Sequence, residues 1–159
     1  MSRKIQIIGA VLCLVGLTGA ALVTRDAGPP PAATELRLTV SGKFAFEPAF
    51  LRCPAGAAVH LRITHQMPTG GPDLPHTTVL LEHGTDLEAF GQAVLNARAE
   101  DNYVPASFRA QVLAATPLVH AGGQLTLNFQ APTQPGHYPL VCSFPGHCLL
   151  GMKATLIVD

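Results

Sequence analysis

From Glu35 onward the chain is written in short alternating runs. In ELRLTVSG, Leu36, Leu38 and Val40 alternate with Glu35, Arg37 and Thr39, the period of a strand with one buried face. AVHLRIT repeats the pattern, with Val59, Leu61 and Ile63 set against His60, Arg62 and Thr64. HTTVLLEHG reads as a third strand, and AGGQLTLNFQAP as a fourth through Leu125, Leu127 and Phe129. TQPGHYPLVCSF is a turn and then a strand whose inward set is Tyr138, Leu140, Cys142 and Phe144. MKATLIVD closes the chain with Met152, Ala154, Leu156 and Val158 on one face. Cys53 to Gly56 (CPAG) is a turn, and Met67 to Pro75 (MPTGGPDLP) is a loop rich in proline and glycine. Thr85 to Ala99 departs from the two-residue period. Thr85 or Asp86 caps a helix there, and Leu87, Phe90, Val94 and Leu95 recur at helical spacing. Short strands punctuated by turns predict an all-β, Greek-key β-sandwich over residues 35–159, with one short helical insertion laid over its side.

The first 34 residues follow a different pattern. Arg3 and Lys4 precede an apolar run from Ile5 to Val23, with the small residues Gly19, Ala20 and Ala21 near its end. This fits a secretory signal peptide over residues 1–24, and its length is close to the ~20 residues that span a bilayer. Cleaved signal and retained membrane anchor both remain open. Residues 25–34, with Pro29, Pro30 and Pro31, form a stiff linker. Either reading places the domain outside the cytoplasm, in a periplasmic or other extracytoplasmic space. Ten basic and ten acidic residues in 159 leave the chain neutral and sparsely charged, which argues against nucleic acid as a partner.

Export permits disulfides. Leaving Cys13 to the N-terminal segment, three cysteines remain: Cys53, Cys142 and Cys148. An odd number leaves at least one outside an intramolecular bridge. Cys53 precedes a strand of about seven residues that leads toward the end carrying Cys142. At ~3.3 Å per residue the two ends lie some 20 Å apart, too far for a Cys53–Cys148 bridge. A Cys142–Cys148 bridge is sterically open.

The chemistry concentrates in VCSFPGHCLLGMK, Val141 to Lys153. Parity puts Cys142 and Met152 on inward faces at adjoining strand ends, and His147 lies in the loop between them. A thiolate, an imidazole and a thioether together select copper, because the thioether is a poor zinc ligand. A type 1 copper site needs a second histidine. The candidates are His60, His65, His76, His83, His120 and His137. His76 is favoured, standing between a rigid Pro-rich loop and a strand. His60 has outward parity, His65 ends its strand near that loop, and His83, His120 and His137 sit beside turn residues.

CSFPGHCLLGM resembles the C-terminal copper loop of the cupredoxins, specifically the azurin and auracyanin group, whose loop reads Cys-Thr-Phe-Pro-Gly-His followed by Met. The upstream LPHTTVLL resembles that family's segment in which a His opens a strand. The resemblance extends over about Leu36 to Asp159. It implies His76, Cys142 and His147 as equatorial copper ligands and Met152 as the axial one. It further implies one copper per chain, one-electron transfer rather than catalysis, and an electron port at the ring edge of His147. Redox partners of the cytochrome c or copper/haem oxidoreductase kind would dock there, on an apolar patch of Met67, Pro68, Pro145, Leu149 and Leu150. Two departures from the family pattern stand out. Four residues, Cys148 to Gly151, separate His147 from Met152, as in auracyanin-like proteins and one more than in azurins. Thr77 replaces the usual Asn, and its hydroxyl can reach toward Ser143 or the thiolate. The alternative to a carrier is a periplasmic copper-handling protein, a chaperone or store.

Overall fold

A computed structural model describes residues 33–41, 44–66 and 73–159. The expected signal or anchor over residues 5–23, the linker up to residue 32, and Met67 and Pro68 of the expected docking patch lie outside these. Among the described residues no helix is long and apolar enough to cross a membrane.

Among the described residues, nine strands form two sheets. The first contains β1 (Thr34–Ser41), β2 (Ala45–Glu47), β4 (Ala58–His65) and β7 (Gln124–Gln130), in the order β2-β1-β4-β7. The second contains β3 (Phe50–Cys53), β5 (Val79–Leu81), β6 (Val112–Ala115), β8 (Gly136–Val141) and β9 (Lys153–Val158), in the order β3-β9-β8-β5-β6. β1 pairs with β4, and β3 with β9, in parallel; the other ladders are antiparallel. The sandwich therefore stands as expected. Its inner faces carry the alternating residues of the sequence pattern: Leu38, Val40, Val59, Leu61, Ile63, Tyr138, Leu140, Cys142, Met152, Ala154, Leu156 and Val158 all enter one core. Side chains at alternate strand positions point to opposite faces, so this parity is what lets each strand bury one side.

A second apolar cluster covers the outer face of the five-stranded sheet. Val79, Leu81 and Val141 point away from the main core and meet Phe90 and Val94 of α1 (Leu87–Val94). This explains why Val79, Leu80 and Leu81 are all buried, since one face meets the opposing sheet and the other meets the helix. Asp86 caps α1 by accepting from the Ala89 N–H at 3.0 Å.

The insertion differs from expectation in extent. The helix ends at Val94, well short of Ala99, and Leu95 is 48% exposed rather than part of the buried stripe. Two 3₁₀ turns, Ala99–Asp101 and Ala106–Gln111, and the edge strand β6 follow it. The HTTVLLEHG strand is likewise shorter than expected, Val79–Leu81, with His76 held separately by an isolated bridge to Val119. The Cys53 to Gly56 turn begins one residue later than expected: Cys53 closes β3 and is buried. β2 and β3 themselves carry no clear sequence signal, being only three and four residues long.

Candidate metal centre

Cys142 follows β8 directly and Met152 precedes β9, so a strand pair fixes both. The Cys142 N–H donates to the Met152 carbonyl at 3.3 Å, and the Met152 N–H donates to the His147 carbonyl at 3.0 Å. The intervening loop is wound tightly. The His147 N–H donates to Phe144 O at 3.1 Å and the Leu150 N–H to Gly146 O at 3.0 Å. Gly146 (φ 85°) and Gly151 (φ 93°) take left-handed backbone where a side chain would be strained. His76 comes from the other side. Its backbone exchanges two hydrogen bonds with Val119, of 3.0 and 2.8 Å, so its position does not depend on the Cys142–Met152 loop.

The four expected ligands converge. Cys142 Sγ lies 3.8 Å from His76 Nδ1 and 3.5 Å from His147 Nδ1, and the two Nδ1 atoms are 3.1 Å apart. Met152 Sδ lies 3.1 Å from His76 Nδ1. Bonds of about 2.0 Å to nitrogen and 2.3 Å to sulfur in a trigonal plane require separations of roughly 3.5 Å between nitrogens and 3.7 Å from nitrogen to sulfur. The observed separations match this within a few tenths of an ångström. Among the described residues His76, Cys142 and His147 are the one such cluster of metal-binding side chains. Two imidazoles, a thiolate and a thioether form a donor set suited to copper, one ion per chain.

Burial prepares the donors. His76 is held down to about 3, first by burial and then by the neighbouring His147 and His65 rings. Burial also holds His147 down to about 4. Both imidazoles are therefore neutral, with lone pairs available, throughout the physiological range. Burial pushes the Cys142 thiol up, opposed by the backbone N–H groups of Thr77 and Phe144. A metal ion held beside Cys142 would supply the charge that stabilises a thiolate, and its binding would release the thiol proton.

Three features around the ligands were not legible as site elements. His65, 1% exposed, packs edge-on to His76 with ring centroids 4.6 Å apart, and neither ring nitrogen has a hydrogen-bond partner among the described residues. Its parity with Val59, Leu61 and Ile63 was the available signal, and it points inward as that parity requires. Phe44 meets His147 edge-on at 4.9 Å, and Phe144 packs on the same ring at 4.7 Å. His147 is consequently only 4% exposed, so its ring edge is covered rather than open as the family resemblance implied. Asn102, from the insertion, accepts a hydrogen bond from Ser143 at 2.7 Å. The remaining histidines lie elsewhere: His60 pairs with Glu35, His120 with Asp73, His83 bonds the His137 carbonyl, and His137 is exposed.

The cysteines separate cleanly. Cys53, Cys142 and Cys148 are all free. Cys148 belongs to the outer cluster under α1, with Sγ 3.8 Å from the Leu87 carbonyl, whereas Cys142 faces the inter-sheet core. Thr77 reaches both its expected neighbours, Ser143 Oγ at 2.8 Å and Cys142 Sγ at 3.8 Å. Of the expected apolar patch, Leu149 is 37% and Leu150 70% exposed. Leu149 leans on α1 at Gly91, where an added Cβ would stand 2.6 Å from Leu149 Cδ2.

The chain is similar in sequence and in fold to known proteins. Auracyanin-B of Chloroflexus aurantiacus is 35% identical over 114 residues, a match covering 72% of this chain and 47% of that protein, so the chain spans about half the relative's length. The solved structure of auracyanin A from the same bacterium, described as a blue copper protein, superposes with a TM-score of 0.69 at 27% identity, over 80% of this chain and 100% of that one. Dithionite-reduced auracyanin from Roseiflexus castenholzii superposes with a TM-score of 0.68 at 26% identity, over 80% of this chain and 98% of that one. The family model for copper binding proteins of the plastocyanin/azurin type matches residues 34–159, the whole two-sheet sandwich with all four converging donors. On the strength of that match the chain belongs to the plastocyanin/azurin family of copper binding proteins.

Proposed function

We propose that the protein is a type 1 copper one-electron carrier and not an enzyme, with His76, Cys142 and His147 as equatorial ligands and Met152 as the axial one. The observation that carries this reading is the approach of these donors: the His76, Cys142 and His147 donor atoms lie 3.1 to 3.8 Å from one another, and Met152 Sδ lies 3.1 Å from His76 Nδ1. Bound copper supplies the Cu(II)/Cu(I) couple. The protein's part is to hold the donors still and dry. Cys142 and Met152 are pinned to each other and to the loop through backbone hydrogen bonds, and His76 is pinned to Val119. All four side chains are at most 4% exposed, so they would hold a bound ion away from solvent and would have little room to rearrange when its charge changes.

Electron exchange takes place at the His147 end, through the aromatic cover of Phe44 and beside the exposed Leu149 and Leu150. Small apolar patches of this kind suit brief redox encounters with cytochrome c or copper/haem oxidoreductases, and a neutral chain offers little long-range steering. The extracytoplasmic space is the proposed location, with residues 5–23 as a signal or anchor. A copper chaperone or store would favour open, exchangeable ligands, and burial of all four donors disfavours it.

Visible absorption and EPR of the Cu(II) protein test the reading. The expected result is an intense thiolate-to-copper band with narrow hyperfine splitting, abolished in Cys142→Ala and kept in Cys148→Ala. An ordinary type 2 spectrum in the unaltered protein would refute the carrier assignment.

A further inference from the structure

Three donors on this chain approach the Cys142 sulfur: the backbone N–H groups of Thr77 and Phe144, and the Thr77 hydroxyl at 3.8 Å. The hydroxyl has a competing acceptor. Thr77 Oγ1 lies 2.8 Å from Ser143 Oγ, and it also accepts the Ser143 N–H at 2.7 Å. Ser143 Oγ in turn lies 2.7 Å from the Asn102 carbonyl oxygen.

A count of hydrogens resolves the directions. A carbonyl oxygen can only accept, so the single Ser143 hydroxyl hydrogen points to Asn102. Between the two hydroxyls Thr77 must then be the donor, and its own single hydrogen is committed to Ser143. The 2.8 Å separation is the usual O–H···O distance, whereas sulfur at 3.8 Å is a distant and weak acceptor. Thr77 is 1% and Ser143 0% exposed, so water cannot take either place. Asn102 is delivered by an unusual backbone. It and Tyr103 both adopt left-handed conformations, φ 53° and 57°, uncommon for residues with side chains. Hydrogen bonds from Asn102 N–H to Ala99 O (2.9 Å) and from Tyr103 N–H to Arg98 O (3.0 Å) hold the turn, and the Tyr103 ring packs edge-on against Phe144 at 5.3 Å.

We propose that Ser143 and the Asn102 carbonyl are positioning groups that draw the Thr77 hydroxyl away from the Cys142 sulfur, holding the copper potential below what the same four ligands would otherwise give. A hydrogen bond to the thiolate withdraws charge from sulfur and favours Cu(I). The relay withholds one. The proposal rests on Cys142 being the copper ligand.

The test compares the full-length copper protein with Ser143→Ala, Ser143→Thr and Thr77→Val, reading reduction potential and the thiolate-to-copper band. Ser143→Ala removes the competing acceptor, so the Thr77 hydrogen turns to sulfur. Its potential is expected to rise and its band to move to higher energy. Ser143→Thr keeps the hydroxyl and stays near the unaltered protein. Thr77→Val loses stability, because the Ser143 N–H is orphaned, while its potential moves little. The opposite pattern, with Thr77→Val lowering the potential and Ser143→Ala leaving it unmoved, would show that Thr77 already bonds the sulfur and would overturn the proposal. No shift in either variant would also overturn it. A blue band absent from the unaltered protein would overturn the ligand assignment first, a failure distinct from any confined to the variants.

Discussion

Met152→Leu removes the thioether and keeps nearly the whole volume of the side chain. Met152 is fully buried in the main core, with Sδ 3.1 Å from His76 Nδ1. A volume-conserving core exchange costs less than about 1.5 kcal/mol. For a domain of this size that is a fall in Tm of at most roughly 5–8 °C in the copper-free protein. Met152→Ala, which leaves a cavity, should cost about 2–5 kcal/mol. Copper should remain in the leucine variant, because His76, Cys142 and His147 keep their mutual distances of 3.1–3.8 Å and the backbone bonds of residue 152 do not involve its side chain. Loss of a weak axial donor penalises Cu(II) more than Cu(I), so the potential should rise. Tenfold in a one-electron equilibrium is 59 mV, so a donor worth about 1 kcal/mol more to Cu(II) corresponds to about 40 mV. Spectroelectrochemical titration reads the potential, and thermal unfolding of the copper-free protein reads the packing cost. A leucine variant that fails to bind copper, or whose potential is unmoved or lower, would refute Met152 as a weak axial ligand.

Phe44→Ala should open the His147 ring, now 4% exposed, to solvent; carbethoxylation of His147 by diethylpyrocarbonate in the copper-free protein, followed by mass spectrometry, should speed up severalfold, with about 0.5–1.5 kcal/mol lost from the aromatic contact. The copper-free protein should lose stability as pH falls. His76 and His147 are held at about 3 and about 4 in the fold but near 6.5 when unfolded. The unfolded chain therefore takes up protons first, and stability that is full above about pH 6.5 declines toward pH 4; urea midpoints between pH 7.5 and 5 should fall, and a flat profile would contradict the burial of these rings. Phe90→Ala, which empties a fully buried position packed edge-on against Phe108 at 5.3 Å, should cost about 3–5 kcal/mol, read by chemical denaturation, while the blue spectrum is kept because that cluster lies on the outer face of the sheet.

What could be read in the chain without its fold was whatever depends on nearest neighbours along it. Alternation assigned Leu36 to Val40 and Val59 to Ile63 to strands, and it put Cys142 and Met152 on inward faces, because a strand sends successive side chains to opposite sides. The short Cys142–His147–Met152 spacing was equally local, since one tight loop carries it. Partners far apart in sequence needed the closed sandwich. His76 meets Cys142 across 66 positions only because the bridge to Val119 sets it beside the end of β8. Parity was enough to turn His65 inward, but not to show that it would end against His76. Phe44 over His147, and the Asn102 carbonyl on Ser143, come from segments without periodic signal, where left-handed backbone redirects the chain. The helix was legible in kind, yet its end was not: Leu95 fits the apolar spacing, but the sheet surface beneath is already filled by Phe90 and Val94. Local pattern thus determined which residues could serve as ligands, and only the packing of two sheets and an insertion decided what surrounds them.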